Sequence, residues 1–414
     1  MNLRKSILLF VAFFTFIFSF SQESKQSSFQ LYGFVRSDFY SDSRKSFNSV
    51  QDLFSFYPMY KNLNEYGDDL NSVSTTGLAS VISRLGFSFD SPGLFGSKNK
   101  SAIEVDFGGA PNFWILRIRQ AYTQLSWKNS ELLVGQTWHP LFSKSIMPNI
   151  LSLNTGSPFQ PFNRSPQVLY NYNLGNLKLS SALVYQMMYG SVGPEGATYL
   201  YQRNANLPEI YFGAEFNKNG LLLGLGADYK TIQPERYISD NNGVTVINKN
   251  ILGTPTGMIY GSYTKNLFSF KGKFMFGQNL SDQAMIGGYA ITPDHEYIPY
   301  NTLSTFFNLC YGKTHMICLL GGYTANLGPT ENLPENSRFY GFGVDKANTA
   351  GEKIVGNIYR FSPSYSYNLK NWKVGVELEY TNASWGNRSA IDGSIIDQER
   401  ADNYRTYAIL MYMF

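Results

Sequence analysis

The chain is built of short segments in which apolar and polar residues alternate, separated by Gly, Asn, Pro and Ser. In "LFSFKGKFMFG" (267–277), Phe268, Phe270, Phe274 and Phe276 fall on one face of an extended strand, and two lysines fall on the other. Because side chains of a β-strand point alternately to its two faces, this period of two predicts strands with one apolar and one polar face.

Sixteen such segments predict sixteen strands. They cover 29–40, 77–90, 101–108, 113–127, 131–139, 167–174, 177–189, 209–217, 221–230, 253–265, 267–277, 302–311, 314–325, 353–369, 372–380 and 402–414. Tight turns alternate with a second set of connections: 41–76, "GAPN" (109–112), 140–166, 190–208, 231–252, 278–301, 326–352 and 381–401. An even strand count with short turns on one side and mostly long loops on the other is typical of an outer-membrane barrel.

The prediction is therefore an all-β fold, a 16-stranded antiparallel transmembrane β-barrel with short periplasmic turns and long extracellular loops over residues 29–414. A secreted sandwich or propeller is the alternative, because its strands alternate too. A propeller would show a blade repeat of about 40 to 50 residues, and none is visible. Large apolar side chains rarely form one continuous outer face on a soluble sheet.

Composition agrees with a barrel. Charged residues make up 15% of the chain and aromatic residues 16%, with 30 Tyr and 32 Phe. The mean hydropathy is nevertheless slightly polar, at −0.22, so apolar residues are interleaved with polar ones and not gathered into membrane-spanning helices. The formal net charge of +4 is small. Without a Lys/Arg cluster, no nucleic-acid partner is expected.

The first residues resemble an export signal. Arg4 and Lys5 precede the apolar run Ser6–Phe20, and small residues occupy the two positions that a signal peptidase reads. Cleavage after Ser21 would remove residues 1–21 and leave 22–28 as a short periplasmic segment. We therefore expect an exported protein located in the outer membrane.

The two cysteines, Cys310 and Cys318, flank the turn "YGKTH". If Gly312 and Lys313 form the turn, Cys310 faces His315 and the two sulfurs lie far apart. The sequence then predicts two free thiols that face lipid or a packed wall, not a disulfide.

The chain ends in "TYAILMYMF", where Tyr412 and Phe414 share an apolar strand face. We expect Phe414 to end the strand that closes the barrel against the strand beginning near Phe29. A terminal aromatic residue is also a common assembly signal of outer-membrane proteins, so the barrel assembly machinery is an expected partner besides the lipid bilayer.

The chain resembles porins of Bacteroidetes and, more narrowly, DcaP-type porins. The resemblance rests on the terminal "MYMF", on "SRLGFSFDSPG" with "AIEVDFGG", and on "LRIRQAYTQLSWKNSELLVGQTWHPLF". It covers about a quarter of the chain. It implies a homotrimer and a preference for anionic solutes. The N-terminal coiled coil of some DcaP-type porins has no counterpart in "QESKQSS", the only stretch before the first strand.

In general porins the third loop folds inward and narrows the pore, which makes 140–166 the candidate constriction loop. It contains no Asp or Glu. The pore-lining candidates from this loop and the neighbouring wall are Arg36, Arg84, Glu104, Asp106, Arg117, Arg119, His139, Lys144 and Arg164. A ring of positive charge would favour anions.

A structural interpretation of these charges stays open. If "GAPN" is a tight loop, Glu104 lies opposite Arg117, and the two form a cross-strand ion pair that steadies the wall. Further carboxylates are predicted to face the lumen, namely Asp38, Glu215, Asp228, Glu377 and Glu379. A lumen of mixed charge is therefore as consistent with the sequence as a basic one.

No catalytic, metal or cofactor motif stands out. Asp294, His295 and Glu296 are adjacent in a long loop, which favours a solvated loop over a metal site. The chain has three histidines and no GxSxG motif, so we expect no enzyme and no cofactor.

The sequence thus favours an outer-membrane porin, a passive channel for small hydrophilic solutes that are anionic under the basic-lumen interpretation. One alternative is a surface receptor or structural protein with an occluded lumen, motivated by the Tyr- and Phe-rich loop 41–76. The other is a carrier of hydrophobic ligands, against which the charged inward positions argue.

Overall fold

The structure, a computed structural model, describes residues 27–109, 115–240, 242–346 and 352–414. The predicted signal segment 1–21, most of segment 22–28 and most of the predicted "GAPN" connection lie outside the described residues.

Sixteen strands form the wall of a closed antiparallel barrel, which confirms the predicted fold. They are β1 (Ser28–Asp42), β2 (Thr75–Ala79 with Arg84–Pro92), β3 (Lys98–Gly109), β4 (Ile115–Ser126), β5 (Ser130–Trp138), β6 (Arg164–Leu174), β7 (Leu177–Val184), β8 (Glu209–Lys218), β9 (Leu221–Ile232), β10 (Leu252–Lys265), β11 (Phe268–Gln278), β12 (Tyr297–Gly312), β13 (His315–Pro329), β14 (Lys353–Leu369), β15 (Trp372–Arg388) and β16 (Ile395–Met413).

The first and last strands close the barrel. Residue pairs along this seam run from Phe34 with Met413 to Asp42 with Arg405. Beyond them, the Phe414 N–H donates to the Gly33 carbonyl and the Gly33 N–H donates to the Phe414 carbonyl, both at 3.1 Å. The seam leaves no open edge, because every strand now has a partner on each side.

The two faces of the wall differ as the alternation predicts. On β11, Phe268, Phe270, Phe274 and Phe276 are 39–44% exposed on the outer face, whereas Lys273 on the inner face is 3% exposed. The outer face is the apolar surface of a transmembrane barrel, and the lumen is polar.

Short elements occupy the loops. They are strands Ser46–Ser49, Phe54–Pro58, Ser191–Gly193, Gly196–Thr198, Tyr237–Ser239, Thr245–Ile247, Gly287–Ile291, Arg338–Phe342 and Val344–Asp345, the helix Leu200–Ala205, and 3₁₀ turns Leu94–Gly96, Pro140–Phe142, Lys144–Ile146 and Ser281–Gln283. No helix within the described ranges is long and apolar enough to cross a membrane.

The predicted long loop 381–401 is mostly strand, so this prediction was wrong. β15 continues to Arg388 and β16 begins at Ile395, and these two residues are paired. Ala383 and Trp385 at the end of β15 are buried by other parts of the chain. The end of β15 is covered on both faces, so it does not need the alternation by which the membrane-spanning part is recognised.

The second strand is interrupted, although the sequence predicts one strand over 77–90. Residues 80–83 have no ladder partner among the described strands. Val81 and Ile82 are adjacent in sequence and both are buried, at 6% and 1% exposure. A regular strand would point them to opposite faces, so the strand breaks where both turn into the packed interior.

The prediction of two free thiols was wrong, because Cys310 and Cys318 form a disulfide with a Cα–Cα distance of 4.1 Å. The turn between β12 and β13 is one residue longer than assumed and begins one residue later, so Gly312 pairs with Met316 and Cys310 pairs directly with Cys318. The partner of Cys310 thus moves by three residues from the expected His315, because the turn sets the register of the whole hairpin.

We expect alkylation of the unfolded, unreduced protein to modify neither Cys310 nor Cys318, and prior reduction to expose both. Mass spectrometry of the peptides that contain them measures the result. A Cys310→Ser variant is the control, because its Cys318 must react without reductant. Labelling of both thiols in the unreduced wild-type chain would contradict the disulfide.

Candidate functional site

The connection between β5 and β6 lies inside the barrel. We call residues 139–163 the inward loop. Phe142, Ile146 and Phe159 are fully buried in it, and two 3₁₀ turns shape its first part. Because the loop joins no strand ladder, its backbone N–H and C=O groups need other partners.

Cations of the wall supply the donors for the loop carbonyls. Lys273 on β11 donates from Nζ to the carbonyls of Leu141 and Phe142, at 2.7 and 2.9 Å. Arg36 on β1 donates to the Leu151 carbonyl at 2.5 Å. These hydrogen bonds use charge that could otherwise face the open lumen.

Acceptors of the wall hold the loop N–H groups. The Glu377 carboxylate on β15 accepts from the backbone N–H groups of Leu151 and Ser152, the second at 3.1 Å. The Asn308 side-chain oxygen on β12 accepts from the Asn149 N–H at 2.8 Å. The inward loop is therefore fixed mainly to the side of the barrel made by β11–β15 and β1.

The opposite side of the lumen stays open as a cavity of about 270 Å³ between the inward loop and β4–β8. Its lining includes Tyr122, Asn171, Lys178, Glu215 and Tyr260 from the wall and Lys144 from the loop. Lys178 pairs with Glu215 at 2.8 Å, and Tyr260 donates to the same carboxylate at 3.3 Å. Lys144 has no ion-pair partner in the described part of the chain.

The arginines of β4 are held by carboxylates of β3. Arg117 donates to both oxygens of Asp106, at 2.9 and 2.8 Å. Arg119 donates to Glu104 at 2.9 Å and to Asp106 at 2.8 Å. Arg84 on β2 lies 3.5 Å from Glu104. Three guanidinium groups thus face two carboxylates, and most of their charge is used within the wall.

The predicted register of this pair of strands was wrong. Glu104 lies opposite Gln120, not Arg117, and Asp106 lies opposite Arg117. Register shifts between Glu104 and Val105 and again after Asp106 change the partners, as β-bulges do. A cross-strand network of ion pairs is present, but with different partners from those predicted.

Arg164 begins β6 and is fully buried away from the cavity. Its guanidinium carbon lies 4.8 Å from the ring centre of Trp138, 5.1 Å from that of Phe162 and 5.6 Å from that of Tyr189. Nη2 donates to the Tyr189 hydroxyl at 2.6 Å. Cation–π contacts therefore surround this arginine, which packs the end of the inward loop against the wall.

His139, at the base of the inward loop, is 1% exposed. Its Nδ1 accepts from the Leu141 N–H at 3.2 Å, and its Nε2 lies 2.9 Å from Glu209 Oε1. Asp228 completes a group of three whose ligand atoms all lie within 4.8 Å of one another. Sequence reasoning missed this group, because its members come from the loop, β8 and β9.

The first loop, residues 43–74, also enters the lumen. Phe54, Phe56 and Tyr57 are buried, and burial raises the pKa of the Tyr57 hydroxyl above its ordinary value. Arg360 on β14 donates to the Phe56 carbonyl at 2.7 Å. Phe54 packs against Phe162 of the inward loop with ring centres 4.7 Å apart. The central aromatic residues of this loop therefore form packing contacts and not an exposed binding surface.

The remaining predicted residues belong to the seam. Tyr412 pairs with Val35 and packs against Trp372, with ring centres 4.9 Å apart. The loop anchors Lys273, Arg360 and Glu377 were not among the predicted site residues. Their period-two placement marks Lys273 and Glu377 as facing the lumen, but nothing in the sequence indicates which loop groups they hold.

Comparison with known proteins finds no matching family model and no matching curated protein. Solved structures do match. The outer membrane channel DcaP of Acinetobacter baumannii has a TM-score of 0.67 at 16% identity, over 95% of this chain and 99% of that one. An anion-selective porin from Comamonas acidovorans has a TM-score of 0.56 at 12% identity, over 94% and 100%.

OmpT of Vibrio cholerae in its trimer form has a TM-score of 0.53 at 11% identity, over 94% of this chain and 100% of that one. At these identities the likeness concerns the fold alone. The chain thus has the barrel fold found in outer-membrane porins and channels.

Replacing Glu377 by Leu is expected to loosen the middle of the inward loop. The change leaves the N–H groups of Leu151 and Ser152 without their carboxylate acceptor. A hydrogen bond to a charged group contributes about 1.5–3 kcal/mol, so we expect amide hydrogen exchange at these residues to accelerate about tenfold or more. Hydrogen–deuterium exchange with peptide mass analysis measures this.

The matched control is Glu131→Leu, because Glu131 lies on β5 and contacts Asn171, not the loop. This variant should exchange like the wild type at both positions. Equal protection in the Glu377 variant would show that the carboxylate does not hold the loop.

Proposed function

We propose that the protein is an outer-membrane porin, a passive diffusion channel for small hydrophilic solutes. The observation that carries the proposal is the cavity of about 270 Å³, lined by polar and apolar side chains, that the inward loop leaves along β4–β8 inside the closed barrel. A loop that narrows a polar lumen without filling it is what size-selective diffusion requires.

In this proposal the protein carries out no chemical turnover. A solute exchanges part of its hydration shell for the side chains of Tyr122, Asn171, Tyr260 and the Lys178–Glu215 pair. The wall contacts that fix the inward loop keep the narrow section at constant size. The side chains of the cavity then discriminate by size and charge while the solute moves down its own gradient.

A weak preference for anions is part of the proposal. Lys144 faces the cavity without an ion pair in the described ranges, and in the wall of β2–β4 three guanidinium groups face two carboxylates. Of the predicted residues, Lys144 is the best placed to act on a passing solute. Arg117, Arg119 and Arg164 act chiefly as structural cations in their ion pairs and aromatic contacts.

The proposal also covers the oligomeric state of the protein and its location in the cell. A homotrimer in the outer membrane agrees with the trimer form named for the Vibrio cholerae protein and with the channel and anion-selective porin named above. The proposal also includes export with cleavage after Ser21 and insertion by the barrel assembly machinery, which would recognise the Phe414 end. It further includes an origin in Bacteroidetes.

Single-channel recording tests it. We expect the refolded protein to give steps of stable size in planar bilayers, with a reversal potential in a salt gradient that favours chloride. Absence of conductance from a demonstrably folded barrel would reject the channel and leave the occluded barrel, in which the first loop and the inward loop together fill the lumen.

Lys144→Glu is expected to shift the chloride-to-potassium permeability ratio toward potassium. Reversing one unit charge about 8 Å from a passing ion changes its energy by about 1 kcal/mol in water, or roughly fivefold at low salt. The matched control is Lys313→Glu in the turn between β12 and β13, which should leave the ratio unchanged. An unchanged ratio in the Lys144 variant would reject its role in charge preference.

A further inference from the structure

We propose that His139, Glu209 and Asp228 form a binding site for one divalent metal ion, for which zinc is the best match. The site is independent of the proposed channel function. It would join the base of the inward loop to β8 and β9.

The three side chains converge from separate parts of the chain. Glu209 opens β8 opposite Val184, and Asp228 lies on β9 opposite Tyr211. His139 reaches them from the end of β5. Their exposures are 1%, 1% and 6% for His139, Glu209 and Asp228. All three side chains are thus shielded from bulk water.

Their free atoms point to a ligand. Glu209 Oε2 and Asp228 Oδ1 are buried and have no hydrogen-bond partner within the described residues. His139 Nε2 lies 2.9 Å from Glu209 Oε1 but makes no hydrogen bond of acceptable geometry. Buried polar atoms are normally satisfied, so the unpaired oxygens of these two adjacent carboxylates require a shared proton or a cation between them.

Charge supports a cation. The Lys230 ammonium pairs with Asp282 next to the group, and this pair is neutral by itself. Glu209 and Asp228 then remain as two buried carboxylates beside a histidine. Two buried like charges repel and are costly to desolvate. A divalent cation would offset both, which a single lysine already paired elsewhere does not.

The donor set selects the metal. One imidazole nitrogen and two carboxylates are ligands that zinc takes at about 2.0–2.2 Å, with water in a fourth position. Calcium and magnesium prefer all-oxygen sites. The ligand atoms, now within 4.8 Å of one another, would draw slightly closer around the ion. His139 also lines the cavity, so the ion can enter from the lumen.

Binding moves a proton on the histidine. In this structure Nδ1 accepts from the Leu141 N–H, which places the ring proton on Nε2. A metal at Nε2 requires the proton on Nδ1, so the 3.2 Å contact with Leu141 must open. Metal binding and the first turn of the inward loop are therefore coupled.

The test uses tag-free, full-length protein refolded in detergent and freed of metal by a chelator. We expect calorimetric titration with zinc chloride, and elemental analysis after gel filtration, to give one zinc per chain. Thermal unfolding should show a higher denaturation temperature with zinc than without it. Failure of the wild-type protein to retain zinc would overturn the proposal, with the cluster then neutralised by protons.

Asp228→Asn and Glu209→Gln keep the side-chain shape and remove a ligand charge. Each should weaken zinc binding by about 100-fold or more, since even outer-shell partners of a metal contribute 10- to 100-fold. Circular dichroism verifies that the variants are folded. Zinc binding of wild-type strength in both variants would overturn the assignment.

Glu235→Gln is the matched control, because Glu235 pairs with His295 at 2.7 Å on a loop but belongs to no group of three among the residues that the structure describes. It should bind zinc like the wild type. Loss of zinc in this control would place the ion at His295 and also overturn the proposal. Conductance is recorded separately, so failure of the metal site leaves the channel proposal untouched.

Discussion

Closure of the sheet is the constraint on which the rest of the structure depends. A backbone group facing lipid has no water to bind, so each strand needs a neighbour on both sides. The seam between β1 and β16 meets this requirement down to the reciprocal hydrogen bonds of Gly33 and Phe414. Once the wall is closed, its outer face can be apolar and its inner face can carry charge.

Most charged side chains of the inner face form hydrogen bonds or ion pairs with the loops or with one another. The backbone groups of a loop inside a barrel have few water molecules to bind and no neighbouring strand. Side chains of the wall, such as Lys273, Arg360 and Glu377, supply their hydrogen-bond partners instead. This explains how a lumen with many arginines exposes few unpaired cations. It also separates two groups of lumen residues: those that hold the inward loop and those, such as Lys144, that line the cavity without an ion pair in the described part of the chain.

The wall was predictable from the sequence, and the interior was not. Alternation along segments such as 267–277 indicates that the segment is a strand, which of its faces points outward and that the strands form a barrel. It does so because lipid imposes the same pattern on every strand. It fails at Val81 and Ile82 and beyond Tyr380, where other parts of the chain cover the strand. The Cys310–Cys318 pairing depended on the length and the start of one turn, and the partner of Glu104 depended on a β-bulge. The group of His139, Glu209 and Asp228 needs three segments in place at once, which no local pattern encodes.

The anchoring of Leu151 has a consequence for the order of folding. Its carbonyl is held by Arg36 on β1 and its N–H by Glu377 on β15, which lie on either side of the seam. Neither strand alone offers both groups, and the two are brought together only when β16 pairs with β1. The middle of the inward loop can therefore settle only after the barrel has closed. In a chain whose seam is still open, Leu151 lacks one of its two anchors, whereas Leu141 and Phe142 can already bind Lys273 on β11.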